Sequence, residues 1–387
     1  MNVLVISQRK ILPTLDGALI GTLGLIKYLK DMGANTTLVT FVESEDYNES
    51  ERSLLLKYVS ALYSCPLKWT NTALNLSLKY PNNIRKYTRK SMVRLIEKIK
   101  LESVFDVIII DHLQLFEYAR LFQSERIVLH THNVESNIWA EYAKKCKGMV
   151  QVLVSRSARM TYKYECEAFA KADGVIACSD DDLKCFKKMV PSINGAVMHS
   201  YNKFDRIKNK EDVLRKSNKI IFVGSYGWYP NQAAAKFLAT EMLPQMSKYI
   251  SDMQLILVGK DPTDEIRNYS LHNPQVIVTG TVESIDSYIK EGDIFVNAVT
   301  EGSGINIKMI EAMGKGIPIV SSEYGARGIE THGIEAFKTY RNLDECVSEI
   351  IELLEDRKYA YEMTCRAREF YEDFITPSNA VKDIIFG

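Results

Sequence analysis

The sequence predicts an α/β protein built from two doubly wound parallel sheets. Short apolar runs typical of buried strands alternate with segments whose apolar residues recur at helical spacing, and this alternation occurs in both halves of the chain. A polar stretch rich in Lys, Asn and Asp, residues 201–218, separates the halves and is predicted to be a linker. With 387 residues, the chain is long enough for each half to bury its own core.

Bulk composition argues against several classes of protein. Lys and Arg together number 49, as do Asp and Glu, so no overall field favours nucleic acid as a partner. The seven cysteines are scattered and form no Cys-x-x-Cys, which suits a reducing cytoplasm and argues against a disulfide framework or a zinc site. No run approaches the roughly 18 apolar residues that a membrane span needs. We therefore expect a cytoplasmic protein that is soluble, or at most peripheral to a membrane.

The first half opens with a βαβ pattern. A strand is predicted at residues 3–6, a helix over Leu19 to Leu29, and a second strand at 37–42. The glycines of this unit do not spell Gly-x-Gly-x-x-Gly, so a dinucleotide site is not favoured. Further strands are predicted at residues 105–110, 126–129, 174–178 and 195–200.

Polar residues follow three of these strands: Asp111-His112, residues 130–136, and Ser179 with the aspartates at 180–182. Ligands of open parallel sheets bind beyond the carboxyl ends of the strands, so these residues are placed for chemistry. His132 is the first candidate, although a histidine at a strand end is often only a hydrogen-bonded structural group. The three aspartates could suggest a metal, but Ser179 as N-cap with acids in the first helical turn explains them better.

Residues 68–100 form a basic segment with nine Lys or Arg residues against a single acid, Glu97. Trp69, Tyr80 and Tyr87 are interspersed with them. Such a segment could contact an anionic membrane or a lipid pyrophosphate acceptor. The alternative is a solvated helix face.

The second half repeats the alternation of strands and helices. Strands are predicted at residues 219–224, 253–259, 275–278, 294–299 and 317–321, and the tail, residues 344–387, is predicted to be helical. This pattern indicates a second doubly wound sheet.

The stretch Gly302 to Val320 contains the strongest candidate site. Gly302-Ser303-Gly304 lies where a predicted strand turns into a helix, and the free backbone N–H groups of a first helical turn favour an anion. Lys308 and Glu311 are three residues apart and share one helix face, so the cation could meet phosphate while the carboxylate accepts hydrogen bonds from a ribose diol. The alternative is a glycine turn followed by a solvated Lys/Glu pair.

The second half resembles the glycosyltransferases of family 4, which have the GT-B fold and use nucleotide-sugar donors. The motifs that carry the resemblance occur in the family's order: residues 221–225 with Trp228, Pro230 and Asn231, then 255–260, 280–282, 302–320 and 321–328. One branch of the family that the chain resembles closely, the bacterial polysaccharide sugar transferases, has the same Gly-Ser-Gly form of the loop. The resemblance implies the GT-B fold, with two Rossmann-like domains facing a cleft.

The resemblance also implies a division of labour between domains. Residues 1–205 would bind the acceptor, residues 206–368 would bind the nucleotide sugar, and residues 369–387 would cross back to the first domain. It implies a retaining, hexosyltransferase-like enzyme that holds the donor diphosphate without a metal. No cofactor is expected, and the donor substrate would be of the UDP or GDP type. The acceptor would be a glycan or a lipid-linked glycan at the inner face of a bacterial membrane.

The resemblance assigns roles to particular residues. His132, Lys308 and Glu311 are the expected catalytic residues, with His132 facing the acceptor. The expected donor-binding residues are Gly17, Gly224, Ser225, Val282, Glu301, Gly302, Ser303, Gly304, Ile305 and Asn306. No metal ligand is expected.

The sequence departs from the family pattern at two points. The family usually has a glutamate at the place of Ser303, and the nearest acid here is Glu301. The family also often has an Arg and a Lys where this chain has Ser225 and Asn231. Two alternatives therefore stay open: a sugar-nucleotide epimerase of the GT-B fold, or a nucleotide-sugar binding protein without turnover.

Overall fold

The structure, a computed structural model, describes residues 1–13, 17–43, 45–68, 81–199, 201–282, 284–291, 294–301 and 305–387. The chain divides into two compact units. The first comprises Met1–Asn202 and Ile375–Gly387, and the second comprises Lys203–Phe374. The sequence placed the corresponding boundaries after residues 205 and 368.

The first unit contains a seven-stranded, fully parallel sheet with the order β3-β2-β1-β4-β5-β6-β7. Its strands are β1 (Asn2–Ser7), β2 (Asn35–Val42), β3 (Ala61–Pro66), β4 (Val107–Asp111), β5 (Arg126–His130), β6 (Gly174–Ala177) and β7 (Gly195–Val197). Buried aliphatic side chains cover both faces of the sheet, as expected when helices pack on each side.

The helices of this unit are α1 (Gly17–Asp31), α2 (Glu49–Leu55), α3 (Asn82–Tyr87), α4 (Lys90–Glu102), α5 (Glu135–Lys145), α6 (Gly148–Lys171) and α7 (Asp180–Met189), with a 3-10 helix at Leu113–Leu121. The Ser179 side chain accepts a hydrogen bond from the Asp182 N–H, so the N-cap interpretation of this segment is confirmed.

The second unit contains a six-stranded parallel sheet with the order β10-β9-β8-β11-β12-β13. Its strands are β8 (Lys219–Val223), β9 (Gln254–Val258), β10 (Val276–Gly280), β11 (Ile294–Asn297), β12 (Ile319–Ser322) and β13 (Lys338–Tyr340). Its helices are α8 (Lys210–Leu214), α9 (Tyr229–Phe237), α10 (Leu243–Met246), α11 (Asp264–His272), α12 (Asp286–Glu291), α13 (Ile307–Lys315), α14 (Leu343–Glu355) and α15 (Arg357–Ile375), with a π-helical turn at Leu238–Met242. The predicted fold class, two doubly wound parallel sheets, is confirmed.

The last helix, α16 (Asn379–Phe386), belongs to the first unit. Its Val381, Ile384 and Ile385 side chains are buried. A Cβ atom on Gly174 would lie 2.5 Å from Ile384 Cγ2, so strand β6 needs glycine where α16 packs on it.

Three features differ from the sequence prediction. Strand β3 was missed because only Leu62 and Cys65 of this edge strand are buried, and β13 was missed because it has only three residues. The polar stretch 201–218 is not simply a linker: it contains α8, and its Lys208 side chain is fully buried. The Lys208 N–H donates to the Lys315 carbonyl, which ties this stretch to the end of α13.

No helix in the described part of the chain is both long and apolar enough to cross a membrane.

Candidate functional site

Two glycines bring the ends of strands β8 and β9 together. The Gly224 N–H donates to the Val258 carbonyl at 2.9 Å. A Cβ atom on Gly259 would lie 1.7 Å from the Gly224 carbonyl oxygen, and the φ of Gly259 is 151°, so only glycine fits there. A Cβ atom on Gly224 would lie 2.8 Å from Asn231 Cγ. The loop after β8 therefore packs directly against the start of α9.

Asn231 joins three of the sequence-predicted positions. Its Nδ2 donates to the Ser225 carbonyl at 2.7 Å, and its Oδ1 accepts from Lys308 Nζ at 2.7 Å. Lys308 Nζ also lies 4.7 Å from the centre of the Phe222 ring. The structure thus brings Gly224, Ser225 and Lys308 to one place, through an asparagine that the sequence identified only as a departure from the family pattern.

Lys308 is a cation with little charge compensation. The residue is partly buried, and desolvation lowers the pKa of its ammonium to about 7. Among the described residues, its contacts are an amide oxygen and an aromatic face, and none of the salt bridges includes it. A bound anion would supply the missing charge and raise this pKa.

Glu311 pairs with Lys315 one turn further along α13 rather than with Lys308. The Oε1 of Glu311 lies 2.7 Å from Lys315 Nζ, and Lys315 Nζ also donates to Asp286 Oδ1 at 2.5 Å. The Lys315 side chain is nearly buried, with 8 % exposed, whereas 20 % of Glu311 is exposed. The Glu311 carboxylate is therefore partly accessible, and carboxylate oxygens can accept hydrogen bonds from a diol.

The first turn of α13 has no side-chain cap. Asn306, its N-cap residue, directs its Nδ2 to Asn297 Oδ1 at 3.2 Å, and Asn297 Nδ2 continues to Ser321 Oγ at 3.2 Å. A Cβ atom on Gly325 would lie 2.4 Å from Asn297 Nδ2, so a glycine is required beside this chain of hydrogen bonds. These contacts hold the start of α13 while its backbone N–H groups receive no side-chain cap.

The remaining donor-binding candidates differ in exposure and position. Glu301 is exposed, and Val282 and Ile305 are partly exposed. Gly302, Ser303 and Gly304 lie outside the described residues. Gly17, in the first unit, is the first residue of α1.

In the first unit, Asp111 is the centre of a buried polar cluster at the carboxyl ends of the strands. Its Oδ1 accepts from His130 Nδ1 and from His132 Nε2, each at 2.8 Å. Its Oδ2 accepts from the hydroxyls of Ser7 and Thr22 at 2.8 Å, and lies 3.2 Å from His112 Nδ1. Strand order explains the assembly, because Ser7, Asp111 and His130 end the adjacent strands β1, β4 and β5.

These contacts keep Asp111 ionised. Burial alone would raise the pKa of this carboxyl, but the charges of His112 and His132 and the hydrogen bonds from His112 and His130 hold it well below its usual range. The His132 side chain is only 5 % exposed. A Cβ atom on Gly21 of α1 would lie 3.1 Å from His132 Cε1, so α1 packs closely on this ring. The expected role of His132 toward an acceptor stays a prediction.

A buried carboxylate supports the start of α5 next to this cluster. Glu165 of α6 accepts from the backbone N–H groups of Glu135 and Ser136, at 2.8 and 3.2 Å. Burial raises the pKa of Glu165 to about 7. Burial also raises the pKa of Glu135, the first residue of α5. Glu165 therefore fixes the loop that carries His132.

One of these sites lies in a range of the chain that matches a known protein family. Residues 217–356 match the family described as "Glycosyl transferases group 1". This range is similar to that family, and we call it the group 1 region.

The group 1 region contains Gly224, Ser225, Asn231, Lys308 and Glu311 together with strands β8 to β13. The Asp111 cluster lies outside it. The resemblance to glycosyltransferases is confirmed at this level, whereas membership of family 4 stays a prediction.

Known proteins are also similar to the chain over nearly its whole length. The chain is 22 % identical over 355 residues to an "uncharacterized 44.6 kDa protein in cps region" of Klebsiella pneumoniae, which covers 86 % of each chain. Anabaena Alr3699/HepE, solved in complex with UDP, has a TM-score of 0.65 at 15 % identity and covers 99 % of this chain and 98 % of its own. WaaG, a glycosyltransferase involved in lipopolysaccharide biosynthesis, has a TM-score of 0.63 at 13 % identity and covers 100 % of both chains. The fold is thus that of the GT-B glycosyltransferases.

Sequence reasoning missed several residues of these sites. Asn231 was noted, but its contact with Lys308 was not foreseen, because the two are 77 positions apart. Ser7 and Thr22 were not singled out, and His130 was noted only among the polar residues 130–136. Ser7 is the last residue of β1, so the rule that sites form at that edge of a parallel sheet could have found it.

Proposed function

We propose that the protein is a retaining glycosyltransferase that moves a sugar from a nucleotide sugar, of the UDP or GDP type, to a glycan or lipid-linked acceptor of a bacterial surface polysaccharide. The group 1 region supports the transferase activity. The complex of HepE with UDP supports a nucleotide donor. WaaG and the relative from a cps region support a surface polysaccharide as the product.

The observation that carries the proposal is the environment of Lys308. Its ammonium lies beside the uncapped first turn of α13, and its partners among the described residues are neutral groups. A diphosphate would receive charge from the lysine and hydrogen bonds from the helix N-terminus. Glu311, one turn further, would accept hydrogen bonds from the ribose, with Lys315 holding the carboxylate in place.

The proposed reaction needs charge stabilisation rather than a protein nucleophile. The bond between the anomeric carbon and the diphosphate oxygen breaks, and the acceptor oxygen forms a bond to the same carbon on the same face. The acceptor proton passes to the departing diphosphate. Lys308 stabilises the negative charge that grows on the diphosphate as the bond breaks, and this kind of fixed electrostatic contact is usually the largest single contribution to catalysis.

We further propose that the first unit contacts an anionic membrane that carries the acceptor. The first turns of α6 expose Met149, Val150, Val152 and Leu153, with exposed fractions of 81 %, 56 %, 65 % and 44 %. Exposed basic residues flank these side chains: Lys144, Lys147, Arg156, Arg159 and Lys163. An apolar surface bordered by cations suits the boundary between lipid headgroups and acyl chains.

A donor panel tests the proposed activity. Purified protein would be incubated with UDP-, GDP- and ADP-sugars, and unfolding temperature and nucleoside diphosphate release would both be measured, with and without a membrane extract that supplies acceptor. We expect one class of nucleotide sugar to raise the unfolding temperature and to release nucleoside diphosphate when the extract is present. Conversion of the donor to an isomeric nucleotide sugar would instead identify an epimerase. Binding without any product would identify a protein without turnover.

A further inference from the structure

The first unit contains three side chains whose metal-binding atoms converge. Cys178 Sγ lies 3.9 Å from His130 Nε2 and 3.7 Å from His132 Nδ1, and the three ligand atoms all lie within 4.8 Å of one another. The two histidines lie at and just beyond the end of β5, and Cys178 follows the end of the adjacent strand β6. The side chains of His130 and His132 are largely buried, and Cys178 is partly buried.

Asp111 fixes which nitrogen of each histidine faces Cys178. An ionised carboxylate can only accept hydrogen bonds, so His130 Nδ1 and His132 Nε2, both 2.8 Å from Asp111 Oδ1, carry the protons. In the neutral form of each ring, which is the form that binds a metal, the opposite nitrogens, His130 Nε2 and His132 Nδ1, have free lone pairs. Metal-binding histidines commonly have this arrangement, in which a carboxylate orients the ring and increases the basicity of the ligating nitrogen.

The two sulfur–nitrogen separations suit a tetrahedral zinc ion. With zinc–nitrogen bonds of about 2.05 Å and a zinc–sulfur bond of about 2.3 Å, tetrahedral angles separate nitrogen and sulfur by about 3.6 Å. The observed separations of 3.7 and 3.9 Å need only a small contraction. A cysteine with two histidines is a donor set that zinc favours, whereas magnesium and calcium prefer oxygen ligands.

We propose that His130, His132 and Cys178 bind a zinc ion, with Asp111 orienting both histidines. Three protein ligands leave a fourth position for water or for an oxygen of a bound molecule. The Cys178 thiol now donates to the Thr131 carbonyl at 3.1 Å, and its proton would pass to solvent when the sulfur binds zinc. The inference departs from the sequence-based expectation of no metal, which rested on the scattered cysteines and on the resemblance to glycosyltransferases that hold the diphosphate without a metal.

The other side of the same cluster is a poorer site. Asp111, His112 and His132 also bring ligand atoms close together. Asp111 already accepts from two hydroxyls and three histidines, so a metal bound there would replace contacts that hold the buried carboxylate. On the Cys178 side, only one weak thiol hydrogen bond is lost.

Metal retention tests the proposal independently of any sugar transfer. The full-length protein would be loaded with ZnCl₂, passed through a desalting column, and analysed for zinc by mass spectrometry. We expect about one zinc per chain in the wild type, as for a site with three protein ligands, and loss of zinc in Cys178→Ser. The matched control is Cys185→Ser, which changes another partly buried cysteine of the same unit and should retain zinc. No zinc in the wild type, or equal zinc in Cys178→Ser, would overturn the proposal.

Two measurements on the wild type test the proposal even if a variant fails to fold. Co²⁺ in place of zinc should give a thiolate-to-cobalt charge-transfer band and the visible bands of tetrahedral cobalt. Bound zinc should also slow alkylation of Cys178 by iodoacetamide, mapped by peptide mass spectrometry, and leave alkylation of Cys185 unchanged. If zinc protects neither cysteine, or both equally, Cys178 is not a ligand and the proposal fails.

Discussion

Lys308 should make donor affinity depend on pH. Burial lowers the pKa of the lysine to about 7, and a diphosphate binds its protonated form. Affinity should therefore be highest below pH 7 and should fall by up to about tenfold per pH unit above it, until pH reaches the pKa of the lysine in the complex. The diphosphate of a nucleotide sugar does not titrate near neutrality, so calorimetry between about pH 6 and pH 9 reports on the protein.

Lys308→Met is the matched test of this assignment. The variant should bind the donor about tenfold to a hundredfold more weakly near neutral pH, the loss expected for a charge-assisted contact of roughly 1.5 to 3 kcal/mol, and its pH profile should be flat. Lys236→Met, which removes an exposed cation paired with Glu265, should keep the wild-type profile. A slope that survives in Lys308→Met would place the titrating group elsewhere.

The same lysine predicts the opposite pH trend for the free protein. Its folded pKa lies below its ordinary value of 10.5, so between pH 7 and that value the unfolded chain binds more protons than the folded chain. The wild type should gain free energy of unfolding, relative to Lys308→Met, as pH rises through this range. Chemical denaturation of both proteins at several pH values measures the difference, and a constant difference would contradict the lowered pKa.

Glu311 should recognise the ribose hydroxyls of the donor. Loss of a hydrogen bond to a charged group costs roughly 1.5 to 3 kcal/mol, so the 2′-deoxy form of the preferred nucleoside diphosphate should bind about tenfold to a hundredfold more weakly. Glu311→Gln should reduce this discrimination because an amide oxygen is a weaker acceptor. Affinities of both nucleotides for both proteins form a closed cycle. A coupling near zero would show that Glu311 does not contact the ribose.

At the scale of elements, α1 and the loop after β5 should be coupled through Gly21 and His132. Alanine favours helix over glycine, yet a Cβ atom at position 21 would lie 3.1 Å from His132 Cε1, so the ring would have to shift from the position in which it contacts Asp111. Gly21→Ala and His132→Ala should therefore each lower turnover much more than nucleotide affinity. The double variant should be no slower than His132→Ala alone. Additive effects of the two substitutions would show that α1 and His132 are not coupled.

The elements also show what the sequence could and could not predict. Helix α13 and its Lys308 were predictable because spacing along one helix decides which side chains share a face. The partner of Glu311 was not, because Lys315 at i+4 competes with Lys308 at i−3, and burial of Lys315 beside Asp286 decides between them. The Asp111 cluster was only partly predictable, because its members lie on separate strands whose order β1-β4-β5-β6 does not follow from local pattern.

At the scale of the molecule, the fold partly compensates the positive charge of the basic segment, residues 68–100. Residues 69–80 of the basic segment lie outside the described residues. In the described part, Lys86 pairs with Glu43 at 2.7 Å, while Lys98 and Lys100 each lie 3.9 Å from a glutamate. Acids outside the basic segment, Glu43, Glu102 and Glu125, thus compensate part of its excess positive charge. The apolar surface on the first turns of α6, by contrast, is open to solvent, since four of its aliphatic side chains are exposed.

Vesicle flotation can separate the contributions of these two surfaces to membrane binding. The wild type should float with anionic vesicles and should not float with neutral ones, because both surfaces carry exposed basic residues. Neutralising Arg85, Lys86, Arg89 and Lys90 should weaken flotation at low salt only, since charge attraction at the protein surface is screened within about 10 Å at 0.1 M salt. Changing Met149, Val150, Val152 and Leu153 to serine should weaken it at every salt concentration, because apolar burial is not screened. All four α6 side chains are exposed, so unfolding temperature should be preserved and serves as the control. If the wild type does not float with anionic vesicles at low salt, neither surface binds membrane, and the acceptor must reach the protein from solution.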